Sequence, residues 1–247
     1  MKPVRVVVFT GDVPLPSPSP SCLKLLTWLT MEGLPFEVVT PRGAPRSSTK
    51  KVPYVELPSG EILAESQVIM ERLAGGALDA HLPPSGRSQA LLIRRLIEDH
   101  LYFVLLTHRW LDDAQWPTTR AQYFGRLPAP LRWFLPWILR RNVRRDAWGQ
   151  GLGRRPLADV YDEGVRDVEA LADALGDQTW FLGEPSSLDA TAFGTLANLW
   201  IQPEDFVVRR ALVGRPNLVS WLGRVAGRAW PASAGALGLP TSSAPPA

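Results

Sequence analysis

The sequence predicts an α/β N-terminal half joined to an all-α C-terminal half. Three observations predict it. Before residue 75, short β-branched apolar runs alternate with a helical pattern. A stretch rich in Gly and Pro then interrupts the chain (Gly75-Gly76, Pro83-Pro84, Gly86), and beyond it apolar residues recur at helical spacing. With 247 residues, 45% of them hydrophobic, the chain can bury a sizeable core as one large domain or two small ones.

The N-terminal elements follow in order. Val4 to Thr10 is a nearly continuous apolar run, as expected of a strand buried on both faces. A Pro/Ser-punctuated loop covers Pro14 to Ser21. Cys22, Leu25, Leu26 and Leu29 then fall at i, i+3, i+4 and i+7 of a helix reaching Glu32 and stopped by Gly33. Phe36 to Thr40 is a second strand, and a β-α-β unit makes the two strands parallel. Tyr54–Leu57, the turn Pro58-Ser59-Gly60 and Glu61–Leu63 form a hairpin, and a helix runs from Glu65 to Leu73. This β-α-β, β-β-α order is the thioredoxin-like arrangement.

Past the linker, Ser88 to Asp112 reads as one long helix whose middle, Leu101 to Leu106, is apolar all round and therefore central. Pro117, Pro128, Pro130 and Pro136 predict an irregular segment or short helices up to Trp137. Asp159 to Leu175 is amphipathic and ended by Gly176. Ser186 with Asp189 at the third position reads as a capping box for a helix through Trp200, and Pro216 opens another through Val225. The expected units are thus residues 1–78, residues 88–232 and a disordered Pro-rich tail, 233–247.

Composition narrows the function. One cysteine, Cys22, excludes an intramolecular disulfide framework and suits a reducing compartment. No run reaches the roughly 20 apolar residues of a membrane span, and the N-terminus reads as a strand, not a secretory signal. A cytoplasmic location is expected. The formal net charge is only +3, yet Arg140, Arg141, Arg144, Arg145, Arg154 and Arg155 crowd one stretch against Asp146. No nucleic-acid reading module accompanies them, so a solvated or partner-facing basic surface is the preferred reading over nucleic acid.

The stretch Lys51-Val52-Pro53-Tyr54-Val55-Glu56-Leu57, followed by Glu65-Ser66, carries the most chemistry. An X-Pro bond adopts the cis form at a cost of only about 0.5–1 kcal/mol. A cis Pro53 would turn the amide and carbonyl of Val52 outward, to pair with an extended peptide as an added strand does. Glu65 and Ser66 open a helix, placing free amides, a hydroxyl and a carboxylate beside that edge. Such a site suits a peptide-like ligand with a carboxylate and an amine. An ordinary strand start followed by a capped helix is the competing interpretation.

Ser19-Pro20-Ser21-Cys22, Val52-Pro53, Glu65-Ser66 and Ser186-x-x-Asp189, in this order, resemble the glutathione-transferase superfamily. Within it the chain looks most like the failed-axon-connections and metaxin-like branch, through residues 19–25, 98–106 with Arg109-Trp110, 149–154 and 188–194. The resemblance implies glutathione, or a related thiol, as co-substrate, a small electrophile as its acceptor, detoxification as the role, and a homodimer as one possible assembly. It carries glutathione onto Val52, Pro53, Glu65 and Ser66. A helix N-terminus supplies free amides and about half a positive charge to a thiolate, and a serine hydroxyl donates one more bond. Ser17, Ser19 and Ser21 all sit there. Ser19 takes the first position of a Cys-Pro-x-Cys pattern and is the choice for catalysis, against a purely capping role.

Cys22 lies one turn inside the helix on its apolar face, where a structural cysteine is the usual fate. Tyr102 and Arg109, on the long helix, are assigned by the resemblance to the acceptor pocket, with core packing or an ion pair as the alternative. His100 and His108 share a face but lack further ligands, so no metal is expected. The Trp/Arg stretch 132–145 suggests peripheral membrane contact, but its prolines favour a packed irregular segment. The alternative to an enzyme is a non-catalytic, metaxin-like adaptor using the same fold.

Overall fold

The computed structural model describes residues 3–41, 43–73, 77–125 and 127–240. Its N-terminal half contains β1 (Val4–Val7), α1 (Pro20–Met31), β2 (Phe36–Val39), β3 (Tyr54–Glu56), β4 (Ile62–Ala64) and α2 (Ser66–Leu73). The sheet order is β2-β1-β3-β4. β1 runs parallel to β2 and antiparallel to β3, and β4 is antiparallel to β3. Gly75-Gly76 of the expected linker lies outside the described residues.

The second half is helical: α3 (Pro84–Arg95), a π-helical stretch (Leu96–Leu101), α4 (Tyr102–Trp110), α5 (Trp116–Phe124), α6 (Leu131–Gln150), α7 (Leu157–Leu175), α8 (Ser187–Trp200), α9 (Val207–Val213), α10 (Pro216–Ala229) and α11 (Pro231–Ala236). The expected long helix is therefore one run from Pro84 to Trp110, opened in its middle by the π stretch.

One expectation is corrected. The segment around Pro117–Trp137 holds the short helix α5, as expected, but α6 is a 20-residue helix with Pro136 inside it. Pro117 sits in the first turn of α5, where its missing amide costs nothing, and Pro128 and Pro130 precede α6. Only Pro136 removes an internal bond, a cost of about 3 kcal/mol set against its burial. The described residues extend into the tail expected to begin at residue 233, as far as Pro240. Pro231–Ala236 is helical, and Leu237 and Leu239 are buried in the helical core. Residues 241–247 of the expected tail lie outside the described residues.

Two apolar clusters form the interior, and they exchange residues. The sheet cluster gathers Val4, Val6, Val8, Leu25, Leu26, Leu29, Val55 and Ile69, and takes Ala190 from α8. The helical cluster includes Ile97, Val104, Val168, Leu196 and Trp221, and takes Leu23 from α1. α1 packs most extensively on α8. The contact is close because residue 194 is glycine. A Cβ there would sit 2.5 Å from the Pro20 carbonyl and 2.9 Å from the Lys24 amide.

Candidate functional site

The site is assembled at one end of the sheet by strand register. Tyr54 pairs with Val7 on one side and with Ala64 on the other. Val52 and Pro53 therefore enter β3 at the same end of the sheet at which Glu65 and Ser66 leave β4. The Val8–Ser19 loop leaves β1 at the same edge and delivers the N-terminus of α1.

The Val52–Pro53 peptide is cis. Val52 is half-buried, and among the described residues no backbone hydrogen bond engages its amide or carbonyl. Glu65 is exposed and holds φ at +68°, a left-handed conformation that costs a residue with a Cβ of order 1 kcal/mol. Its carbonyl accepts the Ile69 amide at 2.9 Å, so the amides of Ser66, Gln67 and Val68 start α2 without helical partners. This edge therefore presents unpaired backbone groups on Val52, first-turn amides of α2, the Ser66 hydroxyl and the Glu65 carboxylate.

The three serines before α1 are not equivalent. Ser17 is buried and uses its hydroxyl to fold the loop, donating to the Phe9 carbonyl at 2.6 Å and accepting the Ser19 amide at 3.1 Å. Ser19 is the N-cap, extended at φ −93° and ψ 120°, and its side chain makes no capping bond. Pro20 occupies the first turn in its fixed conformation. Ser21 is half-buried, and its hydroxyl makes no hydrogen bond among the described residues. Cys22 is fully buried. Burial pushes its thiol pKa up, only partly offset by the hydroxyl of Ser19, the Phe9 backbone and the hydroxyl of Ser17. A neutral, enclosed thiol is a poor nucleophile.

Tyr102 and Arg109, the two pocket candidates, come from the helical half. Tyr102 is half-buried, and its hydroxyl makes no hydrogen bond among the described residues. Burial lifts its pKa to about 12, with Tyr123 and Cys22 raising it and Arg109 opposing them, so the phenol stays protonated. Arg109 does not line a pocket, being only 3% exposed. Its Nη1 donates to the Pro18 carbonyl at 2.7 Å, and its Nη2 donates to the Asn198 carbonyl and Oδ1 at 2.9 and 3.0 Å. Tyr123 donates to the same Pro18 carbonyl at 2.9 Å. Arg109 is thus a clamp that fixes the residue before Ser19 against α8.

Sequence reasoning missed Tyr123, Asn198 and Lys24. Lys24 is buried inside α1 and reaches Gln67 of α2 at 3.1 Å and Glu98 of the π stretch at 2.7 Å. Burial lowers its pKa, opposed by Glu98. The available signal was a lone charge between Leu23 and Leu25 in an otherwise apolar run. His100 and His108 both face α7, the first against Asp167 at 2.5 Å and Glu163 at 3.2 Å, the second against Tyr161 at 3.3 Å. Among the described residues no group of three or more His, Cys, Asp or Glu could hold a metal ion.

Asp189 holds α8 in place from beneath. It closes a capping box with Ser186, accepting the Ser186 amide at 2.9 Å and its hydroxyl at 2.8 Å. Its second oxygen takes Trp221 Nε1 at 2.9 Å and the Phe181 amide at 3.3 Å. The carboxylate is a buried hub rather than a local cap alone.

Family models described as glutathione S-transferase N-terminal and C-terminal domains match residues 20–115 and 164–225. The isoprene-epoxide–glutathione S-transferase of Rhodococcus sp. (strain AD45) is 31% identical, over 89% of this chain and 98% of its own. Failed axon connections of Drosophila melanogaster is 26% identical over 88% of this chain, and metaxin-1 of Sus scrofa 28% over 80%. The matches span only 56% and 65% of those two longer proteins. The fold is shared with a β-etherase from Sphingobium sp., with a TM-score of 0.61, 18% identity, and 95% and 98% of the two chains covered.

Proposed function

Because the chain belongs to the glutathione S-transferase superfamily, we propose that it is an enzyme joining glutathione, or a related low-molecular-weight thiol, to a small electrophile. The observation that supports this reading is the end of the sheet where Val52, with its backbone groups unpaired among the described residues, enters β3 and a left-handed Glu65 leaves β4 for the free first turn of α2. Val52 pairs with the cysteinyl unit of the tripeptide. Ser66 and the α2 amides take the γ-glutamyl carboxylate, and Glu65 its amine. The thiol then lies at the N-terminus of α1, where the helix amides and the Ser19 hydroxyl stabilise the thiolate.

Thiolate sulfur attacks an electrophilic carbon, forming a C–S bond while the bond to the leaving atom breaks. The isoprene-epoxide relative makes an epoxide the first electrophile to test. There the C–O bond opens, and the departing oxygen takes a proton from a donor such as the Tyr102 hydroxyl, which is protonated at neutral pH. Residues 1–78 form the thiol-binding unit, and residues 88–232 the unit that accepts the electrophile. A detoxifying, cytoplasmic, homodimeric enzyme is the corresponding biological reading. Among the described residues no helix is long and apolar enough to cross a membrane. The likeness to Failed axon connections and metaxin-1 supports a second reading, a non-catalytic adaptor.

Calorimetry with millimolar glutathione, combined with a pH titration of thiolate absorbance, separates the two. The enzyme reading expects heat that Ser66→Ala abolishes, and a bound-thiol pKa depressed by about one to two units. Ser19→Ala should raise that pKa and lower turnover by about 10–1000-fold with little change in affinity. Absence of heat, or an undepressed thiol, gives the chain to the adaptor reading.

A further inference from the structure

We propose that the outward face of α6 docks on an anionic lipid bilayer. Along this helix Trp133 and Trp137 are 64% and 65% exposed, and Phe134 and Ile138 beside them are exposed as well. At 100° per residue these four side chains share one side of the helix, while Pro136 and Ala147 are turned inward and buried. The next two turns of the same side present Arg141, Arg144 and Arg145, all exposed. The face therefore has an aromatic end followed by a cationic end.

The charge on this face is largely unneutralised within the molecule. Arg141 and Arg144 make no ion pair among the described residues, and the acid nearest Arg145 is Asp146 at 4.0 Å, itself shared with Lys51 at 3.6 Å. Arg140, by contrast, is committed to Asp113 and the Trp110 carbonyl. Residues 131–155 hold seven arginines against one acid in a chain of net charge +3, so the rest of the chain is net negative. Positive charge is concentrated where the apolar side chains are exposed.

A bilayer interface fits both ends at once. Indole rings settle at the headgroup level, aliphatic and phenyl groups enter the acyl boundary, and arginines hold anionic headgroups while their stems stay in apolar contact. The face is the convex side of one helix, which a fluid surface can cover without shape complementarity. Nucleic acid would satisfy the arginines and leave Phe134 and Ile138 in water. A second copy would bring an equally cationic face to the contact.

The test sediments the full chain with vesicles of mixed phosphatidylglycerol and phosphatidylcholine, and with phosphatidylcholine alone. Binding is expected to the mixed vesicles only, and to fall at high salt. The double variant Trp133→Ser/Trp137→Ser should lose most of the bound fraction. Arg141→Gln, Arg144→Gln and Arg145→Gln together should weaken it by about fivefold per charge removed. These side chains are exposed, so unchanged thermal midpoints separate lost docking from lost folding. No preference for the anionic vesicles, or variants that bind like the parent chain, overturns the proposal. So does a dimer in sedimentation velocity that dissociates in the tryptophan double variant, and so does an oligonucleotide that displaces the vesicles.

Discussion

Acidification should weaken the fold through His108. Its ring is stacked on Phe206 with centroids 3.6 Å apart and an interplanar angle of 2°. Nδ1 lies 3.3 Å from the Tyr161 hydroxyl, which donates to Asp112 at 2.8 Å. Nε2 is buried with no partner among the described residues. Burial lowers the pKa from 6.5 to about 4. Asp112 and Asp205 pull it up, and Arg109 pushes it down. A folded-state pKa below the unfolded one means that the unfolded chain takes up a proton first. The stabilisation is present above pH 6.5 and is lost as pH falls toward 4. A gap of about 2.5 pH units at 1.36 kcal/mol each bounds the effect at about 3 kcal/mol. Roughly 2 kcal/mol of this falls between pH 7 and pH 5. Urea denaturation at a series of pH values should show the parent chain losing about that much more than His108→Gln over this interval. Parallel curves for the two proteins would refute the argument, since they would mean that His108 protonates as readily folded as unfolded.

Two further substitutions test the frame around the site. Asp189→Ala leaves two amides, a hydroxyl and an indole N–H without their acceptor. It should cost about 3–5 kcal/mol, more than the 0.5–2 kcal/mol of a lost cap, and a denaturation curve shifted by less than 1 kcal/mol would show the hub to be dispensable. Gly194→Ala puts a methyl 2.5 Å from the Pro20 carbonyl. Overpacking there should cost about 1–3 kcal/mol and weaken glutathione binding together with stability, because the displaced backbone is the first turn of α1. Unaltered binding heat in a destabilised Gly194→Ala chain would separate α8 packing from the site.

Much of the fold was legible because its signals are local. The β-branched run at Val4, the i, i+3, i+4 leucines of α1 and the Pro58-Ser59-Gly60 turn each reflect one element's own chemistry. The capping pair Ser186 and Asp189 was legible for the same reason, although its links to Trp221 and Phe181 were not, since those partners are remote in sequence. α6 was misread because four prolines were weighed alike, when the cost of a proline depends on its place in the turn. Among the serines, sequence position nominated Ser19. Only the loop geometry distinguishes it from Ser17, whose hydroxyl is consumed by Phe9 and Ser19. Arg109 illustrates the limit most sharply. The resemblance pointed it to the acceptor pocket, with core packing as the alternative, and nothing in its neighbours reveals that Pro18 and Asn198, each about 90 residues away, supply its acceptors.

Such remote ties explain why the N-terminal end of α1 need not be held by the sheet alone. Its first turn is pressed by Gly194, and the residue before its cap is held by Arg109 and Tyr123. Lys24 is anchored to α2 and to the π stretch at once. Farther along, Thr27 accepts the Trp230 indole at 2.9 Å. Each tie runs from α1 or its entry loop to an element of the helical half, Lys24 adding α2. A buried lysine and a buried arginine are costly unless their polar contacts are complete, so separating the halves would expose or orphan both. The helical half is therefore part of the scaffold that positions the α1 N-terminus at the candidate site. An N-terminal fragment ending before Pro83 would retain Ser19, Val52 and Ser66 yet lack the clamp, the counter-ion and the packing surface that fix the α1 N-terminus.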